Sequence, residues 1–327
     1  MPAAAVEPLK SWRKRGRFLL LIAPVAGFVA AVATLASVVD FRKAFAAAAH
    51  ADLAWLGVAV GLAIVSTGIA SIRLWLFLRA GGQPCRLRRC WSAVMAALTL
   101  NAVLPSRGGD MVKAVFLCDQ RQNAVPLLGV IVLERVVDVF VLAALAVAAA
   151  LAERWLTAGL LGLAAMLVPI AALVLLRFLD RLPFTPRKLL RLSEGIRSAI
   201  AHPRYSLAAV SVAVMAWINV SLIMVALMQA VDAALPLWRV MAATPLAILV
   251  GVLPLSISGI GTRDGVLVLL LSPYAADQRV LAGGLLYTVV GYWLLAALGV
   301  ASLGLETIRK VSAAAKARTA GADTANE

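Results

Sequence analysis

The chain has 327 residues, of which 63% are hydrophobic and 14% are charged, and its formal net charge is +15. Soluble domains are about half apolar and about a quarter charged, so this composition excludes a water-soluble enzyme. The apolar runs are long and continuous rather than alternating, which excludes a β-barrel and indicates a polytopic helical membrane protein. The basic residues lie between these runs, where they set topology and contact anionic headgroups rather than nucleic acid.

The N-terminal part of the chain predicts two spans. A basic segment, 1–17, precedes the apolar run 18–39, which is longer than the roughly 7–15 apolar residues of a signal peptide. We therefore expect an uncleaved first span that starts from a cytoplasmic N-terminus. A second span is predicted at 53–79, and the arginines that follow it are cytoplasmic by the positive-inside rule.

The stretch 91–121 consists of two short apolar arms around a Pro- and Gly-rich break at 105–110. Its first arm covers about 21 Å, less than the hydrocarbon core of about 30 Å. Spans are predicted next at 124–151 and 155–176, followed by the most basic connection of the chain, 177–204, which must be cytoplasmic. Because two spans return the chain to the same side, 91–121 is predicted to be a re-entrant hairpin that begins and ends in the cytoplasm.

The second half follows the same order with the opposite orientation. A span at 206–231 leaves the cytoplasm, and the region 238–278 again has two apolar arms around a Gly- and Ser-rich turn. A last span at 280–305 returns to a basic cytoplasmic tail at 306–327. The region 238–278 is therefore predicted to be a second re-entrant hairpin.

These elements predict an all-α polytopic membrane protein with six spanning helices plus two re-entrant hairpins in two inverted-topology repeats, 18–151 and 155–305. Interrupted segments at matching positions of two such repeats mark the binding site of secondary transporters. The alternative counts the hairpins as full spans with a different loop parity.

The first hairpin carries a motif with the features of an anion site. Pro105 ends one half-helix, and the glycines that follow permit a tight reversal before a new helix near Asp110. Arg107 adds a planar guanidinium that matches phosphate. The alternative is a hairpin turn in which Arg107 pairs with Asp110. The candidate binding residues are Asn101, Arg107, Gly108, Gly109, Asp110 and Lys113.

A second motif, Glu134, Arg135 and Asp138, lies inside the predicted span 124–151. Three charges at the centre of a membrane helix cost roughly 8–10 kcal/mol on insertion scales, so they need partners within the protein. The predicted partners are Arg107 and Lys113 for Glu134, and Asp110 or Asp264 for Arg135. A structural ion-pair cluster and a direct ligand or coupling role both remain open.

The second hairpin repeats the logic of the first. Pro254 breaks the chain and a glycine-rich turn leads into a new helix. A dinucleotide fingerprint would need a strand and a βαβ context, which are missing here. The candidate binding residues are Gly259, Gly261, Arg263 and Asp264.

The remaining polar residues indicate no catalytic chemistry. His50 and His202 do not belong to a ligand-like cluster, so the sequence predicts no metal, no cofactor and no catalytic triad, and we expect the protein not to be an enzyme. Arg73 is interpreted as a snorkelling residue near the cytoplasmic end of its span. Asn219 is interpreted as an interhelical hydrogen bonder.

Three motifs in order carry a resemblance to a known family: Asn-x-x-Leu-Pro-x-Arg-x-Gly-Asp at 101–110, Glu-Arg-x-x-Asp at 134–138, and Gly-Ile-Gly followed by an acidic residue at 259–264. Together they resemble the flippase-like domain family, also called the lysylphosphatidylglycerol synthase transmembrane region, over about 18–305. Family members often have Glu after the Gly-x-Gly, where this chain has Arg263-Asp264. Full-length synthases add a C-terminal aminoacyl-transfer domain, and because this chain ends without one, aminoacyl transfer is not implied.

The resemblance implies a bacterial inner-membrane protein that moves a lipid, or a lipid-linked headgroup, between leaflets. With the motifs, it predicts a translocase that binds an anionic headgroup, most simply a phosphate, between the two hairpins, with both termini in the cytoplasm. The alternative is a non-transporting scaffold or accessory protein for lipid or hopanoid synthesis.

Overall fold

The computed structural model of the chain describes residues 33–37, 39–102, 109–118, 124–178, 187–252 and 259–304. Over these ranges the protein is helical and contains no β-strand. After a helical segment at 33–37, the helices in chain order are α1 (Phe41–Ala49), α2 (Leu53–Ala80), α3 (Leu87–Asn101), α4 (Val112–Leu117), α5 (Ala124–Glu153), α6 (Leu156–Phe178), α7 (Arg187–Ala201), α8 (Pro203–Ala230), α9 (Leu237–Gly251), α10 (Thr262–Leu271) and α11 (Asp277–Thr288). Helix α11 continues through a π-helix, Val289–Leu294, to Gly304.

Among the described residues, four helices are long and apolar enough to cross a membrane: Leu53–Ala80, Leu156–Leu175, Pro203–Ala230 and Asp277–Gly304. Large apolar side chains on their outer faces are exposed, among them Leu160 and Leu167. Such surfaces are stable in a hydrocarbon solvent and not in water. The chain is therefore a multi-pass helical membrane protein, as the composition predicts.

The boundaries of the central helices follow from local sequence. Helix α2 begins after Asp52, whose carboxylate accepts hydrogen bonds from the backbone N–H groups of Ala54 at 2.7 Å and Trp55 at 3.4 Å. Helix α8 begins with Pro203 at its first position, where a missing N–H costs nothing. The two helices pack against each other, and Asn219 donates to the carbonyl of Leu62 at 3.0 Å, which confirms its predicted interhelical role.

Both predicted hairpin regions contain short helices around a break. Helices α3 and α4 flank the first break and pack on each other, and α9 and α10 do the same around the second. The segments 103–108 and 253–258 lie outside the described residues, and with them the candidate residues Arg107 and Gly108. Helix α10 follows Gly259 and Gly261, whose φ angles of 79° and 88° are in the left-handed region that glycine adopts without strain.

Helix α7 occupies much of the basic connection 177–204. Its apolar residues recur at helical spacing and bury Ile196 and Ala199, so this part of the connection is ordered against the bundle. The close approach of α7 to α5 depends on two glycines, one on each helix. A Cβ at Gly129 would lie 2.1 Å from the carbonyl oxygen of Leu192, and one at Gly195 would lie 2.5 Å from that of Pro126.

We expect Gly129→Ala to destabilise the protein by about 1–3 kcal/mol, because the new methyl group overlaps the backbone of α7. Gly57→Ala is the matched control, since a Cβ there meets nothing within 4 Å, and it should be neutral or slightly stabilising. Chemical denaturation in detergent micelles measures both. Equal stability of the two variants would contradict the packing of α5 on α7.

Candidate functional site

Six charged side chains meet inside the bundle, three basic and three acidic. Helix α2 contributes one, the turn before α4 and α4 itself contribute two, and α5 contributes the Glu-Arg-x-x-Asp motif. We call them the first centre: Arg73, Asp110, Lys113, Glu134, Arg135 and Asp138. They are nearly or completely buried, apart from Arg135, whose side chain is 23% exposed.

Arg73 bridges two of the acidic residues of α5. Its Nη1 lies 2.5 Å from a carboxylate oxygen of Asp138 and its Nη2 lies 2.7 Å from one of Glu134. The snorkelling interpretation is therefore wrong: Arg73 is 5% exposed and points into the bundle. Two carboxylates on the facing helix attract the guanidinium more strongly than the interface does, since a bidentate arginine–carboxylate pair is strong at low dielectric.

The other two basic residues complete the pairing. Lys113 Nζ lies 3.0 Å from Asp110 and 3.1 Å from Glu134. Arg135 lies 3.1 Å from Asp110, 3.0 Å from Glu134 and 2.8 Å from Asp138. The predicted pairs Lys113–Glu134 and Arg135–Asp110 are therefore confirmed, and of the two partners predicted for Arg135 the structure selects Asp110.

Two neutral side chains also donate hydrogen bonds to carboxylates of the first centre. Trp217 Nε1 donates to Asp138 at 3.2 Å, and Asn101 Nδ2 donates to Asp110 at 3.4 Å. Gly109 allows the chain to approach α3 closely, because a Cβ there would lie 2.8 Å from the carbonyl oxygen of Ala97. The predicted residues Asn101, Gly109 and Asp110 thus lie together.

The Arg-Asp pair of the second hairpin forms a separate cluster. Arg263 Nη2 lies 2.5 Å from Asp264, 2.7 Å from the carbonyl oxygen of Gly284 and 2.9 Å from Thr288 Oγ1. Its guanidinium also lies 4.8 Å from the ring centre of Tyr287. We call Arg263, Asp264, Gly284 and Thr288 the second centre. Its side chains are almost completely buried.

A cavity of about 130 Å³ opens beside the first centre. The basic residues Arg73, Lys113 and Arg135 line it together with Asp110, whereas Glu134 and Asp138 do not. Apolar residues and three aromatic side chains form most of the remaining wall, which also contains the polar residues Ser66, Thr67 and Asn101. The apolar and aromatic residues include Val94, Ala97, Leu98, Val220, Leu295, Trp217, Tyr287 and Tyr292.

The π-helix of α11 contributes Gly291 and Tyr292 to this wall. Single π-helical turns inside α-helices are frequent at functional sites. Tyr287 and Tyr292 meet edge to face with ring centres 6.1 Å apart. Within the described ranges, no group of three or more histidine, cysteine or acidic side chains is arranged to hold a metal ion.

The sequence analysis missed Arg73, Trp217 and the two tyrosines of the cavity. A signal for Arg73 was present, because an ionisable residue within a 28-residue apolar helix is a functional candidate by default. No comparable signal marks the aromatic residues, since tryptophan and tyrosine in membrane proteins most often belong to the interfacial belts.

We expect Arg73→Leu to lower the free energy of unfolding by about 3–5 kcal/mol, because it leaves two carboxylates buried with fewer cations. The double variant Arg73→Leu/Asp138→Asn should recover part of that loss. Denaturation in detergent micelles followed by tryptophan fluorescence measures both.

The matched control is Arg279→Leu, which removes a half-exposed arginine paired with the exposed Asp232 and should cost about 0–1 kcal/mol. A loss at Arg73 no larger than the loss at Arg279 would contradict the importance of the first centre.

Comparison with known protein families gives a match. The family described as lysylphosphatidylglycerol synthase TM region matches residues 20–299, nearly the whole chain. A search of curated proteins found no match. The matched region contains both centres and the cavity. The chain belongs to the lysylphosphatidylglycerol synthase TM region family.

Proposed function

We propose that the protein moves the headgroup of a phosphate-bearing, anionic lipid between the two leaflets of a bacterial inner membrane, binding it in the cavity beside the first centre. The observation that carries this proposal is the cavity itself, which is lined by buried cations within an otherwise apolar helical bundle. Membership of a family named for a lipid synthase supports a role in lipid handling.

The sign of the charge in the cavity supports an anionic ligand. The first centre as a whole contains as many acidic as basic groups, but the cavity is lined by three of its cations and only one of its carboxylates. Arginine also carries a planar fork of donors, which suits the oxygens of a phosphate.

The size and apolar wall of the cavity support partial entry of a lipid. Pockets that enclose drug-sized molecules measure about 300–1,000 Å³, whereas this cavity measures about 130 Å³. It therefore suits a headgroup and not acyl chains. The tail can stay in the hydrocarbon while the polar head passes through the bundle, which removes the main cost of moving a charge across lipid.

A lipid phosphate would compete for cations that already have partners. Glu134 and Asp138 form ion pairs with Arg73 and Arg135, and neither carboxylate lines the cavity. A shift of Arg73 toward a ligand would weaken the contacts between α2 and α5, and a shift of Arg135 would weaken its contact with Asp110 before α4. Ligand binding would thereby be coupled to helix packing, as alternating access requires.

We further propose the layout of six spans and two re-entrant hairpins in inverted repeats, with both termini cytoplasmic and no enzymatic activity. Equal helix lengths support the repeats: α2 and α8 each have 28 residues, and α3 and α9 each have 15. Helices of 15 residues span about 22 Å, too short to cross the hydrocarbon core.

A scaffold without transport activity is the second candidate. It is favoured by the extensive mutual pairing of the first centre, since a purely structural charge cluster would have the same equal numbers of opposite charges. A transport measurement separates the two functions.

The test uses the purified chain in vesicles with fluorescent phosphatidylglycerol, whose movement between leaflets is followed by an impermeant quencher. We expect Arg135→Lys to slow translocation by about tenfold or more, because lysine lacks the fork that binds two phosphate oxygens. Arg107→Lys should also slow it, and Arg107→Ala more so.

The matched control is Arg239→Lys. Arg239 has a similar exposed fraction, 25% against 23%, but stacks on Tyr274 and does not line the cavity. It should leave the rate unchanged. Equal rates for all variants, or equal handling of an uncharged glycolipid, would contradict the proposal, and no translocation by the unmodified chain would favour the scaffold.

The layout has its own test by cysteine accessibility. With the native cysteines replaced, a cysteine at Asn123 should react with an impermeant maleimide only from the cytoplasmic side. A cysteine at Gln278 should react only from the periplasmic side. Reaction of both positions from one side would contradict the inverted repeats.

A further inference from the structure

Three pairs of described helices begin 150 residues apart in the chain. Helix α2 begins at Leu53 and α8 at Pro203, and α3 and α9 begin at Leu87 and Leu237. The helices after the two breaks keep the same interval, since α4 begins at Val112 and α10 at Thr262. Each residue of the first half thus has a counterpart in the second half.

The cavity lies where the two halves face each other. Four lining residues of α2 and four of α8 are counterparts at the 150-residue interval: Ser66 and Ala216, Thr67 and Trp217, Ala70 and Val220, Arg73 and Ile223. The equivalent faces of α2 and α8 therefore line the same cavity.

The two centres also occupy equivalent positions. Lys113 and Arg263 are each the second residue of their helix, and Glu134 has Gly284 as its counterpart. Lys113 pairs with the Glu134 carboxylate, and Arg263 contacts the Gly284 carbonyl. Asp264 supplies the missing carboxylate: its Oδ1 lies 2.5 Å from the position that a Cβ at residue 284 would occupy.

One aromatic ring separates the second centre from the cavity. Tyr287 lines the cavity and also stacks on Arg263, which is 1% exposed and does not line it. Gly291, one turn further along the π-helix, leaves room beside this ring, since a Cβ there would lie 3.2 Å from the ring.

We propose that Arg263, with Thr288, is a second binding site for the lipid phosphate, closed behind Tyr287 in this conformation and opened when the ligand passes from the first half to the second. This inference rests on the proposed translocase function. The first centre binds the phosphate through Lys113 and its neighbours, and the second centre receives it at the equivalent position of the other hairpin. Tyr287 is the gate between them.

The test measures whether residue 288 becomes accessible with ligand. A Thr288→Cys variant, with Cys85, Cys90 and Cys118 replaced by alanine, is reconstituted in vesicles of a phosphate-free glycolipid. Reaction with an impermeant maleimide should be slow, and it should accelerate by about tenfold when phosphatidylglycerol is added, because the ligand populates a minor open state. Adding Tyr287→Ala should give the fast reaction without phosphatidylglycerol.

Ser71→Cys in the same background is the matched control, since Ser71 and Thr288 are both 2% exposed and Ser71 does not line the cavity. Its reaction should stay slow in both lipids. Equal acceleration at both positions would indicate general loosening and overturn the proposal. If residue 288 stays unreactive while the unmodified chain translocates phosphatidylglycerol, the second site is wrong and the translocase function stands; absence of translocation by the unmodified chain refutes that function instead.

Hydrogen–deuterium exchange on the unmodified chain provides a measurement that needs no substitution. Phosphatidylglycerol should increase exchange in the peptide that covers Thr262–Leu271, because opening the second centre releases α10 from α11. Unchanged exchange in this peptide during active translocation would overturn the proposal.

Discussion

The buried carboxylate of Glu134 is the constraint on which the arrangement of the first half depends. It has no exposed surface, and an isolated charge in that environment would cost several kcal/mol. Arg73, Lys113 and Arg135 all contact it, and they come from three separate segments of the chain. Helices α2, α4 and α5 must therefore come together at one point, and the break before α4 is what allows Lys113 to reach that point.

The same pairing decides the electrostatics of the cavity. Because Glu134 and Asp138 lie behind the cations and do not line the cavity, the open space is bordered mainly by positive charge even though the cluster as a whole is balanced. The acidic groups that stabilise the bundle thus also determine which charges face the cavity. Any ligand that draws Arg73 or Arg135 toward itself changes the contacts between helices, which links binding to conformation.

In the second half, different residues neutralise the buried cation. A cation at the equivalent position, Arg263, is neutralised by its neighbour Asp264, and Gly284 leaves the space that this carboxylate fills. The second centre is sealed by Tyr287, whereas the first centre borders the cavity. If the two halves are inverted repeats, as proposed above, one centre that borders the cavity and one that is buried behind a ring are the asymmetry expected of a single conformation.

Composition and apolar run length alone determined that the chain is a helical membrane protein. A long, continuous apolar run in a bilayer can satisfy its backbone hydrogen bonds internally only as a helix. The two motifs predicted five of the six charged residues of the first centre and two of its ion pairs, because charges inside a membrane helix need partners within the protein. Only the tertiary structure decided that Arg73 joins this centre, that Arg263 forms a separate one, and that Trp217, Tyr287 and Tyr292 line the cavity. These outcomes depend on which helix faces meet, and helix faces that are far apart in the chain are brought together by packing, which local sequence patterns do not encode.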